Sequence, residues 1–150
     1  MPKRIRLTFI NDNVFAIAEM LEDQAPKTCS AVLAALPQSG EAHQATYSGS
    51  ETVLILDRDL GIGMENATIR VIPGDVAYTR FEGGTIYGYP ETISEIAVFY
   101  DRDAVPSMPN GPVPMNIFGR ITEGLEEFAA ICRQMRRTGV KPLAITLLDD

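Results

Sequence analysis

The sequence predicts a mainly β fold, a closed barrel or sandwich of short strands accompanied by two helices. Three observations carry this. Roughly eight or nine stretches show either the two-residue apolar alternation or the continuous apolar run expected of strands. Gly, Pro, Asn and Asp punctuate the chain between them, as the turns of a many-stranded domain require. Only the stretches following Pro26 and Glu123 place apolar residues at helical spacing.

Residues 3–9 set Ile5, Leu7 and Phe9 against Arg4, Arg6 and Thr8, the pattern of a half-buried strand. Asn11-Asp12-Asn13 is a turn signal and VFAIAEML (14–21) a second strand, so the chain opens with a hairpin. Pro26 suits the first turn of a helix; Cys29, Val32, Leu33 and Leu36 then fall on one face, and Pro37 and Gly40 end it. Strands are expected at 41–47 and, fully buried, at 52–57 (TVLILD), followed by a glycine-containing loop at 58–66 and strands near 67–72, 76–80 and 93–100. Pro106, Pro109, Pro112 and Pro114 predict a loop without regular structure. Residues 115–121 (MNIFGRI) form another strand. The second helix spans about 123–137, with Leu125, Phe128, Cys132 and Met135 along one side and Thr122 as N-cap. Glu123, Glu126 and Glu127 at its start and Arg133, Arg136 and Arg137 at its end complement the helix dipole. This accounts for the arginine cluster without a phosphate ligand. Gly139 suits the helix end, and 142–148 make a last strand. With no repeat, low-complexity tract or linker, residues 1–150 are expected to form a single domain.

Composition removes several functions. A formal net charge of −7 opposes nucleic acid or an anionic membrane surface as partner. The N-terminus MPKRIRLTFINDN lacks the apolar core of a signal peptide, and no segment approaches the roughly 18 apolar residues of a membrane span, so a cytoplasmic location is expected. The sequon Asn66-Ala67-Thr68 is then not glycosylated. Cys29 and Cys132 lie on helical stripes and read as reduced core residues. One histidine and two buried cysteines predict no metal site. Asp57-Arg58-Asp59-Leu60-Gly61 lacks calcium-loop spacing, and Asp101-Arg102-Asp103 repeats its pattern at another strand end. Gly61-Ile62-Gly63 lacks the third glycine of a nucleotide loop, and Ser48 and Ser50 have no nucleophile motif around them. No cofactor is expected.

Three segments carry a resemblance. EMLEDQAPKTCSAVLAALP (19–37) resembles the second strand and first helix of cyclophilins, IFGRITEGLEEFAAI (117–131) their F-G-x-V-x-E-G-x strand and second helix, and KPLAITLLD their closing strand. With Gly74-Asp75-Val76-Ala77-Tyr78, the chain is most similar to the uncharacterised bacterial cyclophilin-like proteins. The resemblance implies a closed eight-stranded β-barrel capped by a helix at each end, filled by side chains, with any ligand on the outside or at a mouth. It also implies that the chain is not a prolyl isomerase. The family's catalytic arginine, in an F-H-R segment, is matched by Gln44 of Ala42-His43-Gln44, and a neutral amide cannot supply that charge. The S-Q-F-F strand of the family is matched by Ser94-Glu95-Ile96-Ala97.

The segment EAHQATYSGSE (41–51) holds the only histidine. By strand parity His43 shares a face with Glu41, Ala45 and Tyr47. His43 is a structural hydrogen-bonding residue or a general base; Tyr78, Tyr87, Tyr89 and Tyr100 are packed or line a pocket; Glu95 is exposed or paired in a pocket, with Arg102 the nearest cation in sequence. Two functions follow. One is a non-catalytic module binding a small molecule or a peptide through His43, Gln44, Tyr47, Glu51, Glu95, Tyr100, Arg102 and Asn116, which could also assemble as a homo-oligomer. The other is an isomerase- or hydrolase-type enzyme with His43 or Glu95 as acid/base. The enzyme reading requires His43, Glu51 and Glu95 within hydrogen-bond reach in one concave site, and loses its physical basis if these side chains are more than about 8 Å apart. A purely structural subunit is the third reading.

Overall fold

The computed structural model describes residues 1–86 and 88–148. Alternating apolar residues fold the N-terminal segment into a hairpin of β1 (Arg4–Phe9) and β2 (Val14–Met20), with Ile5, Leu7 and Phe9 fully buried. Asn13 takes the left-handed conformation at the turn (φ 53°), one that Asn adopts more readily than most residues. Helix α1 (Pro26–Ala35) follows, then β3 (Gln38–Gln44), β4 (Glu51–Ile55), the two-residue β5 (Ala67–Thr68), β6 (Asp75–Phe81) and β7 (Ile93–Phe99). A small hairpin of β8 (Ser107–Met108) and β9 (Gly111–Pro112) precedes β10 (Met115–Glu123), α2 (Leu125–Thr138) and β11 (Lys141–Leu148).

The sheet order is β2-β1-β11-β3-β4-β7-β6-β10, and β10 pairs back onto β2. All pairings are antiparallel, so eight strands close a barrel without a free edge; β5 adds to β10 outside the closed ring. Side chains fill the lumen: Ile5, Leu7, Leu54, Val76, Tyr78, Ile96, Val98, Phe118 and Ile145 belong to one buried cluster. Cys29 and Val32 of α1, and Phe128, Cys132 and Met135 of α2, join that cluster and seal the barrel. Phe128 lies 4.6 Å from Phe9, ring centre to ring centre. Both cysteines are free and buried. Burial pushes the Cys29 thiol up to about 11 and the Cys132 thiol up to about 12, which leaves them inert. No helix among the described residues is long and apolar enough to cross a membrane.

A second, smaller apolar cluster lies on the outer surface of the barrel. Cross-strand pairing aligns His43, Val53, Ala97, Ala77 and Ile117 in one row across β3, β4, β7, β6 and β10. Val53, Ala77, Ala97 and Ile117 of that row are buried together with Phe99, Ala104 and Met115. These strands are covered on both faces, which is why β4 reads as an unbroken apolar run rather than an alternation.

Four expectations need correction. The third strand ends at Gln44 rather than 47, because the chain turns through Ala45–Ser50. The proline-rich segment contains regular structure: Ser107 pairs with Pro112 and Met108 with Gly111. Two-residue strands ask little of a backbone donor, and Pro109 sits in the turn, where its fixed φ is suitable. Thr122 is not the N-cap of α2; β10 runs through Glu123, and Gly124 caps the helix with a left-handed backbone (φ 80°). The expected strand at 67–72 is reduced to Ala67–Thr68.

Candidate functional site

The outer row of the barrel is the floor of a cavity of about 460 Å³. β4 and β7 pair Glu51 with Phe99, Val53 with Ala97 and Ile55 with Glu95. Paired residues share a face, so Glu51 and Glu95 emerge on the same side of the sheet. Three loops raise the walls. The turn after β3 contributes Ala45, Thr46, Tyr47 and Ser48; the loop between β6 and β7 contributes Thr85, Ile86 and Tyr89; the proline segment contributes Pro106, Met108 and Val113. The first and third walls are tied together through Ser48: the Ser107 amide donates to Ser48 Oγ (2.9 Å), Ser48 Oγ donates to the Ser107 carbonyl (3.3 Å), and the Val105 amide donates to the Ser48 carbonyl (2.9 Å). Gly49 makes this contact feasible. Its φ is +78°, and a Cβ there would lie 2.2 Å from the Asp103 carbonyl oxygen.

Apolar groups dominate the lining, with Val53, Ile55, Phe81, Ile93 and Met115 around the two carboxylates. Glu51 is 3% exposed. Burial pushes its carboxyl up to about 7, against an opposing hydrogen bond from Ser48. Glu95 is pushed up to about 8, by burial first and the Glu51 charge second. Loss of solvent also lowers the His43 imidazole below its ordinary value, which favours the neutral ring. No Lys or Arg lines the cavity, and among the described residues neither Glu51 nor Glu95 enters an ion pair. Four residues of strand register separate the two glutamates, about 13 Å between α-carbons, with both side chains on the cavity wall.

Of the residues singled out from sequence, His43, Tyr47, Glu51 and Glu95 meet in this cavity. Gln44 and Tyr100 lie elsewhere, in a polar network at the barrel end beneath α2. Gln44 Nε2 donates to the Gly49 carbonyl, and the Tyr100 hydroxyl donates to Gln44 Oε1. Arg136 donates to the Tyr100 hydroxyl (2.9 Å) and to Ser50 Oγ (2.8 Å), and Ser50 in turn donates to Asp103. Arg102 lines a separate surface depression with Asp101, Asp103 and Arg133, so it does not serve as the cation for Glu95. Asn116 is buried on the far side: its amide donates to Thr28 Oγ1 (3.1 Å) and the Gly63 carbonyl (2.9 Å), and its oxygen accepts from the Glu65 amide (3.0 Å). Of the tyrosines, Tyr89 lines the cavity, Tyr78 bonds Ser94 inside the barrel, and Tyr87 lies outside the described residues. Among the described residues no group of three or more His, Cys, Asp or Glu could hold a metal.

Sequence reasoning missed Ser48, Phe81, Ile93, Met108 and Met115. Strand parity carried a signal for two of them. Ile93 is two residues from Glu95, and Met115 is two from the outward Ile117. Met108 carried none, because it reaches the site only through the fold of the proline segment.

The fold has solved counterparts. McbB, in a structure described as its complex with tryptophan, superposes with a TM-score of 0.72 at 11% identity, over 97% of this chain and 45% of McbB. This chain therefore spans less than half the length of that protein. The hypothetical protein AF2241 from Archaeoglobus fulgidus, studied in solution, gives a TM-score of 0.62 at 21% identity, covering 98% of this chain and 95% of its own. At these identities the likeness is one of fold. No curated protein matches the chain. A family model does match, over residues 7–147, and the chain belongs to that family: protein of unknown function, DUF3830.

Proposed function

We propose that this protein binds a small organic molecule in the cavity on the outer face of its barrel and does so without catalysing a reaction. One observation carries the reading: His43, Tyr47, Glu51 and Glu95, drawn from three separate segments, line a single cavity of about 460 Å³ whose remaining walls are largely apolar. That volume lies within the range of small-molecule sites, and a few polar groups set in apolar walls is their usual chemistry. Loops on three sides favour a compact ligand over an extended peptide. Prolyl isomerisation has no support, since no Lys or Arg lines the cavity and Gln44 is bound into the barrel end. A cytoplasmic location remains part of this proposal.

The experiment is a thermal-shift screen of small metabolites and short peptides against the intact protein. A small molecule present at about one hundred times its dissociation constant should add about 2.7 kcal/mol of stability, and filling the cavity by Ala45→Trp should abolish the shift. Stabilisation by peptides alone, or shifts indifferent to the filled cavity, would overturn the reading.

One observation favours a second reading, an isomerase- or hydrolase-type enzyme. Glu51 and Glu95 share the cavity with carboxyls pushed up to about 7 and about 8, the range in which a carboxyl can both give and take a proton near neutrality. Conversion of the screened ligand by wild-type protein but not by Glu95→Gln, followed by mass spectrometry, would select it.

A further inference from the structure

The cavity has a charge balance that restricts what it can hold. It places two carboxylates among Val53, Ile55, Phe81, Ile93 and Met115 and offers them no cationic side chain. A buried carboxylate left without a cation or donors is costly, and two in one apolar site are worse, since each opposes the other's charge. The polar groups at the α2 end of the barrel and beside α1 are treated differently. The inward-facing Tyr100 and Ser50 receive Arg136, and Asn116 meets three partners. The titratable groups on the cavity walls are His43, Tyr47, Glu51, Tyr89 and Glu95, and none of them carries a positive charge when the imidazole is neutral.

From this we propose that the ligand is an organic ammonium ion with an apolar or aromatic body, its cationic head between Glu51 and Glu95 and its body against the apolar wall. The inference rests on the ligand-binding reading above and narrows it. An ammonium group supplies the charge that both carboxylates lack and N–H donors beyond the one hydrogen bond that Ser48 gives Glu51. Tyr47, 54% exposed, and Tyr89, 38% exposed, stand at the rim, where aromatic faces favour a cation or an aromatic ring. A carboxylate or phosphate ligand would meet two like charges and no cationic partner.

Three probes of matched shape test the idea: phenethylamine, phenethyl alcohol and phenylacetate, titrated by calorimetry into the full chain. Occupancy is confirmed by the imidazole resonances of His43, the only histidine, which sits in the wall. Above both carboxyl values, at about pH 9, the amine should bind at least about tenfold tighter than the alcohol, and this advantage should shrink by about tenfold at about pH 5, where protons occupy the carboxyls. Glu95→Gln, and independently Glu51→Gln, should remove most of the preference while leaving the alcohol's weak affinity in place. If the alcohol or phenylacetate binds in the cavity as tightly as the amine, or if neither substitution changes the amine's affinity, the ammonium assignment is wrong and the pocket reading survives. If no probe moves the His43 resonances at millimolar concentration, both fall.

Discussion

Two regions of this barrel hold acidic and amide side chains partly or wholly out of solvent, and they treat them in opposite ways. Around the start of α1, Glu65 accepts the Thr28 amide (2.8 Å), the Thr28 hydroxyl (2.7 Å) and the Lys27 amide (3.1 Å), so a distant loop caps the helix with a carboxylate. Partial burial raises the Glu65 carboxyl, but these donors outweigh it and hold the group below its ordinary value. Asn116 completes the cluster with three more bonds. In the outer cavity, burial raises Glu51 and Glu95 and only the Ser48 hydrogen bond on Glu51 opposes it. A region with its bonds made serves the fold. The region where burial goes uncompensated is the one that the proposed ligand would complete.

The largest expected effect comes from removing the uncompensated charges. Both glutamates have folded values above the ordinary 4.5, so the native state binds protons that the unfolded chain has released. Their destabilising effect is absent below about pH 4, grows as pH rises, and is complete above the folded values near 7 and 8. The double variant Glu51→Gln/Glu95→Gln should match wild type in urea denaturation at about pH 4 and exceed it at about pH 9. At 1.36 kcal/mol per unit, the rises from 4.5 to about 7 and to about 8 set a ceiling of about 8 kcal/mol on the difference. Equal stability at both pH values would show that the cavity carboxylates are not strained, and the contrast between the two regions would collapse.

The satisfied region predicts the opposite sign. Asn116→Leu keeps the volume but removes three bonds, leaving the Glu65 amide and Gly63 carbonyl without their partner and Thr28 Oγ1 with one donor fewer. Denaturation near neutral pH should show a loss of about 2 kcal/mol. A neutral or stabilising result would mean that water replaces the side chain, and that this region is no better satisfied than the cavity.

Much of the frame was legible because it is local. Ile5, Leu7 and Phe9 alternate over a single strand, and Phe128, Cys132 and Met135 mark one helix face, so each element is specified by its own residues. Parity also placed His43 on the outward face, where it lines the cavity, whereas Tyr47 reaches the cavity from the turn after Gln44, beside Thr46 and Ser48. What was not legible depends on how distant segments meet. Ser48 and Ser107 are 59 residues apart, and the wall they build has no periodic signature. Arg102 is close to Glu95 in sequence, yet the chain leaves β7 after Phe99 and carries it to the Arg133 end of α2. Asn116, expected at the site, pairs instead with the inward-facing Tyr78; strand parity with Phe118 indicated the interior.

The smallest expected effect sets the lower end of the scale. Arg133 donates to both oxygens of Asp101 (2.9 and 2.8 Å) with its own side chain 52% exposed. Its geometry is as good as any in the molecule, and its solvent exposure is far greater than that of the cavity glutamates. Water competes for both partners, and ordering two flexible side chains offsets part of the attraction, so Arg133→Gln should cost the least of these changes, and less still at high salt. Arg136, one turn along the same helix, bonds Tyr100 and Ser50 in a partly buried network, and the same substitution there should cost about 1.5 kcal/mol, because it leaves a buried hydroxyl short of a charged donor. The two variants differ in burial and not in residue type. If they proved equal, hydrogen-bond count rather than solvent access would govern polar energetics in this barrel, and the special status argued for Glu51 and Glu95 would lose its physical ground.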